Sequence, residues 1–439
     1  MPSRPALLVR LEMPSPRARY VFDHIFERLL GLKIRYLAKG EDITGWSGPL
    51  ICYGGTPDPL SLHFPASPIL QETGIDHTLI ERISNNLSQG VFPTDTGPLP
   101  FDPFASAFFL LSRYEEYLPF VPDNLGRFPS TASLIHRMGV LDVPLVDRWA
   151  LDLADMLEIR FPGLKCVRPE YTFIPTYDID VAFAYRGRPL WRMAGATARG
   201  FIRNGSSDLK GRVSVMMGKV KDPYDVYDEL IAMHQRFGLK ARWFIPAGLR
   251  GERDHNLDPG HPAMRSLLQQ LMASGTLGLH PSFGSNATPS AISKEKARLE
   301  KASGQVIEHS RQHYLMLQFP GTYRNLLNAG FKADHTMGYA DCPGFRAGTT
   351  RPFRFYDLEK EQETELMVHP FALMDGSLRD YQRLSPGQAR ESIDQLIASV
   401  RGVGGIFCSL WHNSSLSGIE GWQDWKSVYE YLVTEAVKS

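Results

Sequence analysis

The sequence predicts an α/β protein, and two observations carry that expectation. From about residue 171 onward, short apolar runs alternate with amphipathic stretches at helical spacing. Repeated β-α units of this kind fold as a parallel sheet or barrel. A smaller α/β pattern precedes them, so 439 residues read as two domains, 1–164 and 165–439.

In the first part, residues 6–13 (ALLVRLEM) read as a strand. Val21, Phe22, Ile25, Phe26, Leu29 and Leu30 mark a helix that stops at Gly31. Apolar runs at Lys33–Leu37 and Leu50–Tyr53 follow, then helices near 103–117 and 146–158. The stretch FPGLK at 161–165 is the boundary. Beyond it, strands are expected at 171–180, 241–247, 276–283, 313–319 and 404–415. Helices are expected at 222–238, 261–275, 293–306 and 322–329. Pro175 lies inside the first of these strands, and Pro favours edges and bulges. An open barrel that leaves this strand at an edge accommodates it.

Composition narrows the function. An apolar fraction of 43% suffices for a large core, and 48 acidic residues balance 48 basic ones. No overall field draws the chain to nucleic acid. Cys52, Cys166, Cys342 and Cys408 form no C-x-x-C pattern, which suggests a reducing compartment. No secretory leader or transmembrane stretch is visible, so a cytoplasmic location is expected. Walker, dinucleotide-binding, H-E-x-x-H and G-x-S-x-G motifs are absent.

The chemistry-bearing residues sit at strand ends, where such folds gather their sites. Asp178 and Asp180 are two apart, so in a strand they share a face. Two close carboxylates repel unless a proton or cation lies between them. The alternative is that they cap the next segment or pair with Arg186 and Arg188. His280 and His412 each end a later strand. Either alone reads as a core histidine, but three strands of one array ending in such groups point to metal or proton chemistry.

These residues resemble motifs of the polysaccharide deacetylase superfamily (carbohydrate esterase family 4). Thr176-Tyr177-Asp178-Ile179-Asp180 resembles its divergent Asp-x-Asp motif, and His280 its strand-end metal His. Arg311-Gln312-His313-Tyr314 resembles Arg-x-x-Tyr, and Leu410-Trp411-His412 resembles Leu-x-His. Segments such as FDPFASAFFLLSRYEEY and SLWHNSSLS look like a divergent bacterial subgroup with an extra N-terminal α/β domain. The resemblance implies a distorted (β/α)7 barrel and a metal-dependent hydrolase that removes acetyl groups from N-acetylated sugars. It implies a divalent metal, zinc or else cobalt or nickel, and a carbohydrate substrate. Asp178 would be the base, oriented by Arg311. His412 would be the acid, and the Tyr314 N–H would steady the oxyanion.

One position departs from the family. Its second metal His follows the first by four residues, and here that residue is Gly284. With Asp180 and His280 only two ligands remain, whereas a catalytic zinc keeps three. His313, two residues from Arg311, is the expected third. Arg346 and Trp411 are the candidates for substrate contact, and Asp334, Asp341 and Asp375 are alternative partners for His412. Nine basic residues and one acid lie between Arg186 and Lys221. They form either a solvated insertion or a face for an anionic glycan or membrane. Loss of the second His leaves one rival function, a non-catalytic sugar-binding or scaffolding module in surface-polysaccharide assembly.

Overall fold

The computed structural model describes residues 6–79, 90–187 and 213–438. Two sheets organise the chain. The first has strands β1 (Leu7–Leu11), β2 (Ile34–Tyr36), β3 (Leu50–Tyr53) and β4 (Leu62–Phe64), all parallel, in the order β2-β1-β3-β4. The second has nine: β5 (Thr172–Asp178), β6 (Ala241–Pro246), β7 (Gly275–His280), β8 (His309–Ser310), β9 (Ala333–Asp334), β10 (Phe353–Asp357), β11 (Gln362–Val368), β12 (Leu373–Met374) and β13 (Ile406–His412). Their order is β10-β11-β9-β8-β7-β6-β5-β13-β12. Among the described residues only the β10–β11 pair of this sheet is antiparallel.

Among the described residues this sheet is not closed by strand pairing, and its edges are β10 and β12. It is nonetheless strongly curled. Strands three places apart in a flat sheet would lie about 14 Å apart. Yet Arg311, just after β8, donates to Thr176 of β5 at 2.9 Å. Phe244 of β6 lies 5.1 Å from His335, just after β9. The concave side is therefore narrow enough for side chains to meet across it.

Period-two alternation assigns the two faces of β5. Tyr177 points outward, where its hydroxyl meets His234 on the helix Tyr227–Phe237 at 2.8 Å and Tyr429 on the helix Trp425–Val437. Thr176 and Asp178 point inward, to Arg311. The helix Tyr227–Phe237 ends at Gly238, whose φ of +66° suits the left-handed turn that closes it.

Several expectations need correction. β5 is not an edge strand, since it lies between β6 and β13. Pro175 is accommodated differently. β6 registers with β5 only from Thr176 onward, while β13 flanks it from Thr172. The Thr172 N–H points to β13 and the Ile179 N–H to β6. By alternation, position 175 would donate toward β6, on the stretch where β6 has not yet begun to pair. The helix expected at 103–117 stops at Leu111, because Arg113 takes a left-handed φ of 54°. Asp222 does not open a helix; its carboxylate accepts the N–H groups of Ala184, Tyr185 and Arg186. The strand expected at 313–319 does not form. Residues His313–Leu315 make a tight turn in which Tyr314 and Leu315 both have positive φ, 58° and 54°.

One continuous core takes in Leu7 and Phe104 near the first sheet and Tyr177 and Val428 near the second. Polar contacts cross between the regions: Arg17 with Glu361, Asp147 with Thr349 and Thr350, and Ser130 with Asp341. Most of the basic segment, 188–212, lies outside the described residues.

Candidate functional site

The concave side of the second sheet carries a polar cluster at the C-terminal ends of its strands. Asp178 ends β5, and Asp180 follows it in the loop. His280 ends β7, His313 lies three residues past β8, and His412 ends β13. Asp180 sits at the centre. Its Oδ1 is 3.1 Å from His280 Nε2 and 3.6 Å from His313 Nε2, and its Oδ2 is 3.7 Å from His412 Nε2.

The far nitrogen of each imidazole is engaged. His280 Nδ1 donates to the Arg311 carbonyl at 2.7 Å, His313 Nδ1 to Asp254 at 3.0 Å, and His412 Nδ1 to Asp375 at 2.8 Å. A partner on Nδ1 fixes the tautomer and leaves Nε2 with its lone pair. Three lone pairs thus face one carboxylate. Asp180 Oδ1 and His280 Nε2 are buried and have no hydrogen-bond partner. Acceptors facing acceptors call for a cation between them, whether protons on the rings or a metal ion.

The donor set suits a metal. Asp180, His280 and His313 offer ligand atoms that all lie within 4.8 Å of one another. Ligands about 2.1 Å from a tetrahedral zinc stand roughly 3.4 Å apart. The 3.1 and 3.6 Å separations around Asp180 Oδ1 bracket that value. Gly284, at the position of the family's second His, is exposed on a turn. The two-residue spacing in an extended segment does not explain how His313 gets there, since the segment is a turn. It is steered instead by Asp254, which also accepts the Phe283 N–H at 2.9 Å.

Protons compete for the same nitrogens. Burial pushes the imidazole of His313 down, but Asp180 and Asp254 outweigh it and hold the group at about 9. For His412 the carboxylates of Asp375 and Asp180 outweigh burial and raise it to about 10. A metal needs the neutral ring. Below about pH 9, filling the site then displaces a proton from His313, so zinc affinity should fall about tenfold for each unit of acidification. Competition titration with a chromophoric chelator over a pH series reads this slope. A flat profile would show that His313 stays out of the site.

Asp178 is 2% exposed and accepts from Arg311 Nη1 at 3.1 Å. Arg311 is fully buried, donates to the His335 carbonyl, and lies over the Phe244 ring at 4.3 Å. Held by the His335 carbonyl and the Thr176 hydroxyl, it orients Asp178. Tyr314 flanks the cluster, its ring 4.3 Å from that of His313, and its carbonyl accepts from Arg127 at 2.8 Å. Its left-handed backbone, costing about 1–3 kcal/mol in a non-glycine residue, is held by that contact. Solvent reaches the cluster beside Asp180, whose side chain is 34% exposed.

Of the partners left open for His412, Asp375 makes the bond. Asp334 is bound to Ser310 and Thr336, and Asp341 to Ser130. The reading of Arg346 and Trp411 as substrate contacts is corrected. Arg346 is buried in a fork-to-fork pair with Glu116, at 2.8 and 2.5 Å, and donates to the Gly338 carbonyl. Trp411 is fully buried and packs on Tyr429 at 5.0 Å. Strand alternation turns it to the face opposite His412. Arg346→Ala should cost about 3 kcal/mol of stability, because it strips a partner from a buried carboxylate. Chemical denaturation checks the loss, and zinc affinity should stay at the wild-type value.

Asp254 and Arg127 were not foreseen. Both lie in loops without periodicity, and no spacing ties them to the strand ends.

A model described as "Family of unknown function (DUF7033)" matches residues 7–162. No curated protein matches the chain. Among solved structures, a Mycobacterium smegmatis protein assigned to the polysaccharide deacetylases shares 14% identity over 62% of this chain and 85% of its own, with a TM-score of 0.40. The Bacillus cereus polysaccharide deacetylase Bc1974 shares 10% identity over 61% and 89%, with a TM-score of 0.28. A 4-alpha-glucanotransferase from Thermococcus litoralis shares 12% over 61% and 37%, with a TM-score of 0.34. At these values the likenesses carry no argument about chemistry.

Proposed function

We propose that this chain is a metal-dependent hydrolase that removes the acetyl group from an N-acetylated sugar. One observation carries the reading. Three imidazoles, each tied at Nδ1, turn their Nε2 atoms toward the single carboxylate of Asp180. Asp180, His280 and His313 would hold the ion. A bound divalent cation supplies Lewis-acid polarisation and a water acidified to about pKa 7.

The chain's own groups supply the rest. Asp178 accepts the proton of the attacking water, and the hydrogen bond from Arg311 aims its carboxylate. His412, held by Asp375 and protonated at neutral pH, delivers a proton to the departing amine nitrogen. The Tyr314 backbone N–H steadies the oxyanion, in the loop that Arg127 braces. In this reading Asp178 and His412 act on either side of the solvent-reached edge of Asp180.

The test is acetate release from N-acetylated oligosaccharides by zinc-loaded protein, with and without chelator. The reading expects release that stops on chelation and on His412→Ala. Release that survives chelation, or none from any N-acetylated sugar by zinc-loaded protein, would overturn it.

A further inference from the structure

Among the described residues only two aromatic side chains are exposed, Tyr314 at 38% and Tyr381 at 45%. Both stand on loops that hold the candidate site. Tyr314 follows His313, and its ring lies 4.3 Å from that imidazole. Tyr381 ends the helical turn Ser377–Tyr381, which begins two residues after Asp375, the partner of His412. A single exposed ring needs no explanation, but two rings tied together beside one polar cluster do.

The rings are held by the same buried group. Arg127, 6% exposed, donates to Asp123 at 2.7 Å, to the Tyr314 carbonyl at 2.8 Å and to the Tyr381 hydroxyl oxygen at 2.8 Å. One guanidinium therefore sets the spacing of both loops. Leu315, next to Tyr314, and Met374, next to Asp375, share a buried apolar cluster. Phe283 meets Tyr314 edge-on at 5.5 Å. Because Arg127 donates into the Tyr381 oxygen, the phenolic proton is left to donate, and among the described residues nothing accepts it.

A fixed ring with one free donor matches a pyranose. The axial C–H groups of such a sugar form an apolar face that lies flat on an aromatic ring, and its hydroxyls accept the hydrogen bond. Rings that are already ordered lose little entropy when they bind. A small acetylated amine has no such face. We infer that Tyr314 and Tyr381 form a stacking rim that grips a sugar ring next to the unit at the metal centre. The substrate class is then an oligosaccharide rather than a free monosaccharide, and Tyr381 sets that preference. The inference rests on the hydrolase reading for what happens at the metal, but sugar binding is measured without turnover.

Isothermal titration of the full-length, zinc-free protein tests it with tetra-N-acetylchitotetraose and with N-acetylglucosamine. The tetramer should bind about 10- to 100-fold more tightly than the monomer. Tyr381→Ala should remove about tenfold of that margin, whereas Tyr381→Phe, which keeps the ring, should retain most of it. In zinc-loaded protein the loss should appear in KM rather than in kcat. A tetramer that binds no better than the monomer, or a margin that survives Tyr381→Ala, would overturn the inference. So would a Tyr381→Phe variant as weak as Tyr381→Ala, which would assign the effect to the Arg127 contact instead of the ring. The two readings fail separately. Zinc-dependent acetate release with no effect of Tyr381→Ala on binding or KM removes the rim alone. Tetramer binding that needs the Tyr381 ring, without acetate release, removes the hydrolase alone.

Discussion

Asp178→Asn is expected to lower the rate of acetate release by about 10²- to 10⁴-fold, the usual share of a general base. The carboxamide has nearly the same shape, so Arg311 still finds an oxygen at that position. What disappears is the ability to take a proton. Asp178 stands 3.9 Å from His280 Nε2 while Asp180 stands at 3.1 Å, so the ion should keep its three ligands in this variant. The expected signature is therefore separable: zinc content as in wild type, KM little changed, and kcat collapsed. Steady-state kinetics beside metal analysis of the same preparation reads both. A variant that loses zinc along with activity would move Asp178 from base to ligand.

Asp180→Ala should have the largest effect on the metal, lowering zinc affinity by about 10³-fold. A site with a total binding free energy of order 10 kcal/mol spread over three ligands loses several kcal/mol with any one of them. Asp180 is the only anionic member of the three, so its loss also removes the charge that offsets the ion. A second consequence follows from the same geometry. His313 and His412 owe their raised pKa values partly to Asp180, so both should titrate lower in the variant. NMR titration of the metal-free proteins would show it. An unchanged zinc affinity would mean that the ion, if any, is held elsewhere.

Much of this site was legible in the sequence because it is built at strand ends. Asp178, His280 and His412 close apolar runs whose alternation is visible without a structure, and Asp180 lies two residues past one of them. The parallel order of the strands follows from the helices between them. What stayed hidden has a physical reason in each case. Asp254 acts through a loop, where residue type alone does not say which neighbour a carboxylate will meet. The turn at Tyr314 has positive φ at two non-glycine residues, which no propensity suggests, so the segment reads as a strand. Strands β8, β9 and β12 are two residues long, too short to leave a period. Arg346 reads as a candidate substrate contact, but its partner, Glu116, is 230 residues away in the chain. Pro175 was read as an edge marker on a strand that is paired on both sides; the edge is local, confined to the stretch before β6 begins to pair.

The region before β5 enters this account through contacts rather than motifs. Arg127 reaches both the Tyr314 carbonyl and the Tyr381 hydroxyl at 2.8 Å, so it braces the loop beside His313. Arg113 and Glu116 cradle Arg346 and the backbone around it. Sequence patterning had left that region without a role.

We propose that Asp180, His280 and His313 hold one metal ion. The most direct test is the zinc stoichiometry and affinity of the purified protein, wild type beside His313→Ala. About one equivalent is expected in wild type, with affinity sharply reduced in the variant. Wild-type protein that takes up no zinc at micromolar concentration, or a variant that binds as tightly as wild type, would contradict it.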